Sequence, residues 1–163
     1  MTVPILSIIG KSRSGKTTLI EKLIPALKAK GYRVGTVKHH SHPGFEIDFP
    51  GKDTWRHAQA GSNHVVIAAP DKIASIRSLE QELSVEAIAA TMNDVDIILT
   101  DGFKSARKPS IEVIRAETGL EQIGDPGQAL AIATDTPLDS QINQVNINDI
   151  PAIVAIIETH ILH

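Results

Sequence analysis

Residues 10–18 read Gly-Lys-Ser-Arg-Ser-Gly-Lys-Thr-Thr and have the residue types and spacing of a phosphate-binding loop. They match the pattern GxxxxGK[ST], follow the apolar run 4–9 and precede a helical pattern. Backbone N–H groups at a helix start, together with the positive end of the helix dipole, attract polyphosphate oxygens. We therefore predict that Lys16 contacts the β- and γ-phosphates of a nucleotide and that Thr17 offers its hydroxyl group to Mg²⁺. The predicted nucleotide-binding residues of this loop are Gly10, Lys11, Ser12, Arg13, Ser14, Gly15, Lys16, Thr17 and Thr18.

Three aspartates are candidates for the same magnesium site. Asp101 ends the mostly apolar stretch 95–101, and many P-loop proteins use a strand-end aspartate beside the loop hydroxyl. Asp48 and Asp53 lie in the polar stretch 39–54, which follows a predicted strand at the edge where open α/β sheets bind ligands. These two would act through water, because Mg²⁺ keeps much of its hydration shell. The predicted metal ligands are Thr17, Asp48 and Asp101.

Asp135 ends another apolar stretch, 128–135, and could select the nucleotide base. Guanine presents N1–H and N2–H donors to one carboxylate, and adenine cannot. The pattern NKxD of many GTPases is absent, so a plain turn aspartate is the alternative interpretation of Asp135.

Other polar side chains allow two interpretations each. Lys11 and Arg13 could touch phosphate or reach a facing subunit, or they could be solvated cations. His39, His40 and His42 could bind a transition metal, or they could belong to a mobile solvated loop, since adjacent residues of an extended chain point to opposite sides.

The length and composition of the chain exclude several classes of protein function. At 163 residues the chain is expected to form a single domain, 1–163, that buries roughly two-thirds of its unfolded surface. A net charge of -3 gives no electrostatic signature of nucleic-acid or anionic-membrane binding. The chain has no cysteine, which excludes disulfides and thiolate chemistry. No signal peptide or membrane span is indicated, so we expect a cytoplasmic protein.

The periodicity of apolar residues predicts an α/β protein. Residues 17–30 form an amphipathic helix that contains Pro25 and ends before Gly31. Flanking strands make a parallel βαβ unit, and Pro70-Asp71 joins two strands of a hairpin. We predict a three-layer P-loop NTPase-like fold with a mostly parallel sheet and an antiparallel hairpin. The predicted strands are 4–9, 32–38, 63–69, 72–77, 95–102, 108–115, 128–135 and 145–147, and further helices cover 55–60, a segment beginning at Ser84, and a segment beginning near Pro151.

Several motifs together carry a family resemblance. Besides the phosphate loop these are Lys38-His39, Asp48 followed by residues 50–53 (Pro-Gly-Lys-Asp), residues 101–104 (Asp-Gly-Phe-Lys), and residues 133–135 (Ala-Thr-Asp). With them the chain resembles the MobB family of molybdopterin-guanine dinucleotide biosynthesis adapters over nearly its whole length. The resemblance implies a homodimer that binds GTP and Mg²⁺ and hydrolyses GTP weakly. It also implies a partner, the molybdenum cofactor guanylyltransferase that joins GMP to molybdopterin.

Three functional hypotheses follow. The first is the GTP-binding adapter, at most a slow GTPase, because no residue stands out as a base that would position water. The second is an ATP-dependent small-molecule kinase with its acceptor site in residues 39–54. The third is a metal-delivery protein that uses His39, His40 and His42.

Overall fold

The structure is a computed structural model, and it describes residues 2–162. Contacts between residues divide the chain into two compact units, Met1–His39 with Leu83–His163, and His40–Glu82. Whether both units fold as the single domain expected from the length stays a prediction. The elements in chain order are β1 (Ile5–Gly10), α1 (Lys16–Ala29), β2 (Val34–Lys38), α2 (Asp53–Gln59), β3 (His64–Ala69), β4 (Lys72–Arg77), α3 (Val85–Ala89), β5 (Ile97–Asp101), β6 (Ser110–Ile114), β7 (Ala129–Thr134), β8 (Gln144–Asn146) and α4 (Ile150–Ile161), with short 3-10 helices at Lys104–Ala106 and Ala116–Thr118.

The first unit is built on a six-stranded sheet in the order β2-β5-β1-β6-β7-β8, and every neighbouring pair is parallel. The central strands are almost continuously buried, as is typical of parallel sheets covered on both faces. The predicted βαβ unit of β1, α1 and β2 is parallel, but β5 lies between its two strands. This insertion places the carboxyl end of β5 directly beside the loop that follows β1.

Both faces of this sheet are covered. On one face α1 and α4 pack over the strands and share a fully buried core with them. On the other face Gly35 leaves room for Met92, because a Cβ at Gly35 would lie 2.6 Å from the Met92 Cε atom. The three predicted layers and the mostly parallel sheet are thereby confirmed. The core on the α1 and α4 face consists chiefly of Leu6, Ile8, Leu19, Leu23, Leu27, Ile97, Leu99, Ile111, Ile153 and Ile157.

Side-chain caps mark the start of two helices. The Ser84 hydroxyl accepts a hydrogen bond from the N–H of Ala87 at 3.2 Å and begins α3 where the sequence predicts. The helix ends at Ala89, and Met92 lies in the turn that follows. Asp149 caps α4 in the same way, with Pro151 in its first turn.

The second unit contains α2 and the antiparallel hairpin of β3 and β4. The hairpin pairs Ala69 with Lys72 across the turn and His64 with Arg77 at its open end, which confirms the predicted Pro-Asp turn. Most of its side chains are exposed. None of the helices between residues 2 and 162 combines the length and apolar character needed to cross a bilayer.

Candidate functional site

The loop between β1 and α1 is shaped by two glycines with positive φ angles. Gly10 has a φ of 146°, and a Cβ there would lie 2.5 Å from the Val113 carbonyl oxygen and 2.8 Å from the Ser14 hydroxyl. Gly15 has a φ of 99° and immediately precedes α1. The loop therefore passes tightly against β6 and directs the first turn of α1 toward its concave side.

Lys16 lies over this loop. Its ammonium group donates hydrogen bonds to the carbonyl oxygens of Lys11, at 2.7 Å, and Gly10, at 3.0 Å. Burial lowers the pKa of Lys16; the carboxylate of Asp101 opposes this shift, and the ammonium of Lys38 adds to it. The cation thus lies where a polyphosphate held by the loop would replace carbonyl oxygens as its partners.

Asp101 and Thr17 meet at the edge of this loop. Asp101 is the last residue of β5 and lies in register between Ile8 of β1 and Lys38 of β2. One carboxylate oxygen, Oδ2, accepts a hydrogen bond from the Thr17 hydroxyl at 2.9 Å and forms an ion pair with the Lys38 ammonium, also at 2.9 Å. The other oxygen, Oδ1, is buried and has no hydrogen-bond partner within residues 2–162. The predicted pair of Thr17 and Asp101 is therefore in direct contact.

This donor set fits a hydrated magnesium ion. A hydroxyl oxygen and a carboxylate are ligands that Mg²⁺ prefers, and it commonly keeps several waters. Asp101 is 7% exposed, and a buried carboxylate oxygen without a partner is energetically unfavourable unless a cation or water meets it. Ser14 also has a buried hydroxyl without a partner in the described part of the chain, on the wall of the loop.

A cavity lies beside the first turn of α1. It has a volume of about 170 Å³ and is lined by Thr18, Arg115, Asp135 and Asn148, among others. The Asp135 carboxylate accepts hydrogen bonds from the Arg115 Nε, at 3.1 Å, and from the N–H of Ala116, at 3.2 Å. Arg115 first, and then the Ala116 N–H, lower the pKa of Asp135, so its carboxyl group is ionised at neutral pH. The volume of the cavity suits a nucleotide base, and so does its position beside the phosphate loop.

The remaining loop residues differ in their surroundings. Lys11 forms an ion pair with Glu121 at 2.7 Å and so contacts the connection between β6 and β7. Arg13 has a φ of 63°, is exposed and makes no hydrogen bond or ion pair within residues 2–162. Ser12 and Thr18 are exposed. Which of these residues touches a phosphate stays a prediction.

A buried carboxylate in β6 shapes the same connection. Glu112 is fully buried and accepts hydrogen bonds from the N–H groups of Ile123, at 2.6 Å, and Gly124, at 3.1 Å. Gly124 packs so closely that a Cβ there would lie 2.5 Å from Ile9. The alternating sequence of β6 gave no sign that Glu112 points inward. Its buried position requires hydrogen-bond partners that lie eleven and twelve residues later.

Two of the predicted magnesium-site aspartates belong to the second unit. Asp48 accepts a hydrogen bond from the N–H of Phe49 at 2.8 Å, and Asp53 begins α2 and lies 3.9 Å from Arg56. Their role at a metal ion stays a prediction.

The histidines of residues 39–42 contact neighbouring rings. His39 packs against Phe103 with ring centroids 4.6 Å apart, and His40 and His42 lie edge to face at 6.1 Å. No group of three or more metal-ligating side chains exists among residues 2–162. Metal delivery by His39, His40 and His42 stays a prediction.

Three further residues of the candidate site were not predicted from the sequence: Lys38, Arg115 and Asn148. Lys38 ends β2, Arg115 directly follows β6, and Asn148 lies just beyond β8, so all three are at the carboxyl edge of the sheet. That position was the available signal, since ligands of open α/β sheets bind at this edge.

Comparisons with known proteins agree with this geometry. Residues 5–135 match the family model described as MobB, Molybdopterin guanine dinucleotide synthesis protein B. A molybdopterin-guanine dinucleotide biosynthesis adapter protein of Haemophilus influenzae is 38% identical over 165 residues, which cover 99% of this chain and 91% of that protein. The Escherichia coli protein of the same name is 34% identical over 154 residues, covering 91% of this chain and 87% of that protein. A crystal structure of molybdopterin-guanine biosynthesis protein B (mobB) superposes with a TM-score of 0.73 at 31% identity, covering 95% of this chain and 98% of that chain.

Proposed function

Because the chain belongs to the MobB family, we propose that it is an adapter that binds GTP and Mg²⁺ and assists the enzyme that attaches GMP to molybdopterin. The two relatives compared above carry the word adapter in their names, and this supports a role alongside a partner enzyme. The partner is the guanylyltransferase of the molybdenum cofactor pathway.

One observation carries the nucleotide part of this proposal. The Thr17 hydroxyl and the Asp101 carboxylate are 2.9 Å apart beside a GxxxxGK[ST] loop, and Asp101 keeps one buried oxygen without a partner. Lys16, Thr17 and the N–H groups of residues 10–18 would hold the triphosphate, and Thr17 and Asp101 would hold the hydrated metal ion. When bound, Mg²⁺ neutralises charge on the β- and γ-phosphates.

Guanine is proposed as the base because of the cavity beside α1. Asp135 lines it as an ionised carboxylate, and Arg115 fixes the orientation of that carboxylate. A fixed carboxylate favours a base with two adjacent N–H donors over one without them.

Slow hydrolysis is expected from the surroundings of the loop. Two carboxylates contact its side chains: Asp101, which would hold the metal ion when nucleotide is bound, and Glu121, which is paired with Lys11. Neither is free to orient an attacking water, and such positioning supplies much of the catalysis in phosphoryl transfer. The protein is therefore at most a slow GTPase unless a partner adds the missing group.

A homodimer is part of the proposal, and the hairpin of the second unit is its interface. Val66, Ile67 and Ile73 are exposed by 49%, 56% and 71%, on a hairpin of only two strands. An isolated two-stranded hairpin is marginally stable, and exposed apolar strands with free edges pair readily with other strands. A second copy of the hairpin offers a matching edge.

Titration calorimetry of GTP and ATP with Mg²⁺, on the wild type and on Lys16→Ala, tests the nucleotide proposal. We expect the wild type to prefer GTP and the variant to lose binding of both, because it lacks the ammonium group over the loop. Lys30→Ala is the matched control, since Lys30 pairs with Glu158 on the surface at 2.7 Å. Tighter binding of ATP, with transfer of its γ-phosphate to a small molecule, would instead support the kinase hypothesis.

A further inference from the structure

We propose that Lys38 is an internal counterion that occupies Asp101 in the metal-free protein and transfers to the triphosphate when Mg²⁺ binds. The site would then hold Mg²⁺ tightly only while the nucleotide is bound, because Lys38 competes for Asp101 when it is not. This inference rests on the proposed binding of GTP and Mg²⁺ to the loop after β1.

The two partners differ in their freedom to move. Lys38 ends β2 in register with Asp101, and its Nζ atom lies 2.9 Å from Asp101 Oδ2. The lysine side chain is 63% exposed, whereas the aspartate side chain is 10% exposed. The carboxylate is therefore fixed in the site, while the ammonium group is carried on a flexible four-carbon stem that reaches it from solvent.

The carboxylate requires a cation in both states. A buried carboxylate is strongly unfavourable without a compensating charge, and Lys38 supplies that charge in this structure. Oδ2 already has two partners, the Thr17 hydroxyl and the Lys38 ammonium, while Oδ1 has no hydrogen-bond partner within residues 2–162. A divalent ion held beside Thr17 and Asp101 would repel the ammonium group at this short range. Lys38 and the metal ion therefore compete for the same carboxylate.

The nucleotide provides the second position for Lys38. Lys38 contacts the same Asp101 oxygen as Thr17, the residue that follows Lys16, so the ammonium groups of Lys16 and Lys38 are both carried at this end of the loop. Two like charges at one site repel each other. Phosphate oxygens are strong acceptors for ammonium groups and would relieve this repulsion. With a triphosphate present, Lys38 can leave Asp101 without losing an anionic partner, and the carboxylate becomes available to the metal ion.

The exchange makes two linked predictions for Lys38→Met, which keeps the length of the stem and removes the charge. Without nucleotide, Mn²⁺ used as a probe for Mg²⁺ should bind roughly tenfold more tightly than to the wild type, because Asp101 has lost its competitor. With Mg²⁺, the ratio of GTP affinity to GDP affinity should fall by a similar factor, because a contact to the terminal phosphate is lost. Electron paramagnetic resonance of free Mn²⁺ measures the first quantity, and calorimetry measures the second.

Lys30→Met is the matched control, because it removes one surface charge and one ion pair, that with Glu158, outside the site. It should leave both quantities at their wild-type values. Lys38→Gln, a second neutral variant, should reproduce Lys38→Met, and thermal melting checks that both remain folded.

The outcomes separate this inference from the proposed function. If the wild type binds no GTP with Mg²⁺, the proposed function is wrong. If the wild type binds GTP but the Lys38 variants match Lys30→Met, lose Mn²⁺ binding, or change only one of the two quantities, Lys38 is not an exchangeable counterion.

Discussion

Asp135 shows how one side chain can be oriented for a ligand by neighbours from different elements. Asp135 follows β7, and Arg115 follows the neighbouring strand β6. The Arg115 Nε group donates a hydrogen bond to the Asp135 carboxylate. Arg115 also pairs with Glu117 at 2.7 Å, which fixes the guanidinium in place. The carboxylate can therefore be presented to the cavity in one orientation, as base recognition by paired hydrogen bonds requires.

Asp135→Asn should change the base preference of the protein. The amide offers one acceptor and one donor, so it cannot accept from both the N1–H and N2–H groups of guanine. We expect the preference for GTP over ATP to fall by roughly tenfold or more, and binding of xanthosine triphosphate, which has a carbonyl group at C2, to rise. Competition binding with the three nucleotides measures the change. Glu117→Gln is the control, because it removes the charge of the other partner of Arg115 and keeps Asp135. An unaltered GTP-to-ATP ratio in Asp135→Asn would remove Asp135 as the base-reading residue.

At the scale of elements, the phosphate loop depends on how closely β1 passes β6. Gly10 ends β1 with its α-carbon against the Val113 carbonyl oxygen, and no side chain fits there. The phosphate-loop motif calls for glycine at position 10, and the packing of β1 against β6 calls for glycine there as well.

Gly10→Ala should destabilise the protein by roughly 2–4 kcal/mol, because it combines a clash with backbone oxygen and an unfavourable φ angle. Gly31→Ala separates the two effects, since Gly31 has a φ of 94° but no atom within 4 Å of an added Cβ. That control should lose only about 1 kcal/mol. Urea unfolding of both variants measures the difference; equal losses would contradict the close packing at Gly10.

The outer edge of the sheet is held by an ion pair between Arg33 and Asp96, the residues that precede β2 and β5. The Asp96 carboxylate accepts from the Arg33 backbone N–H at 2.7 Å and from its guanidinium at 2.8 and 3.1 Å. These hydrogen bonds, led by that of the guanidinium, lower the pKa of Asp96 from 3.8 to about 2.

The effect of Asp96→Asn on stability should depend on pH. Because the pKa of Asp96 is lower in the folded than in the unfolded state, its stabilising contribution is complete above pH 3.8 and is lost as the pH falls toward 2. The variant should therefore be less stable than the wild type at pH 6, and the difference should shrink steadily between pH 4 and pH 2. Denaturant unfolding across this range measures it. A difference that stays constant down to pH 2 would contradict an ionised pair at this edge.

At the scale of the whole molecule, exposed apolar surface is unevenly distributed. Of the large apolar side chains exposed among residues 2–162, all but Leu120 lie in the second unit. Phe45, Ile47 and Phe49 add to the exposed side chains of the hairpin. Such a concentration is typical of a surface that binds another protein chain.

Ile73→Lys should therefore convert the proposed homodimer into a monomer. Ile73 is 71% exposed on β4, and a buried lysine at a dimer interface would lack a partner. Analytical ultracentrifugation compares its mass with that of the wild type and of Leu120→Lys. The Leu120 variant places the same charge on an exposed apolar residue of the first unit and should remain dimeric. A wild-type monomer, or a dimeric Ile73→Lys, would contradict the hairpin interface.

The sequence predicted what depends on local pattern. The phosphate loop, the Pro-Asp hairpin and the caps of α3 and α4 follow from neighbouring residues, and the parallel sheet follows from apolar runs between helices. It did not predict that β5 lies between β1 and β2, because this order depends on pairs 63 and 93 residues apart, Val34 with Ile97 and Ile5 with Ile98. For the same reason the partners of Glu112, Lys38 and Arg115 were not predicted, since each depends on a residue brought near only by the folded sheet.

We propose above all that residues 10–18 bind GTP, with Mg²⁺ between the Thr17 hydroxyl and the Asp101 carboxylate. A crystal structure of the protein with a non-hydrolysable GTP analogue and Mg²⁺ tests it most directly. We expect β- and γ-phosphates within hydrogen-bond distance of Lys16 and the loop N–H groups, a metal ion on Thr17, and guanine beside Asp135. A loop that remains closed on the Lys16 ammonium, with the analogue absent or bound elsewhere, would contradict it.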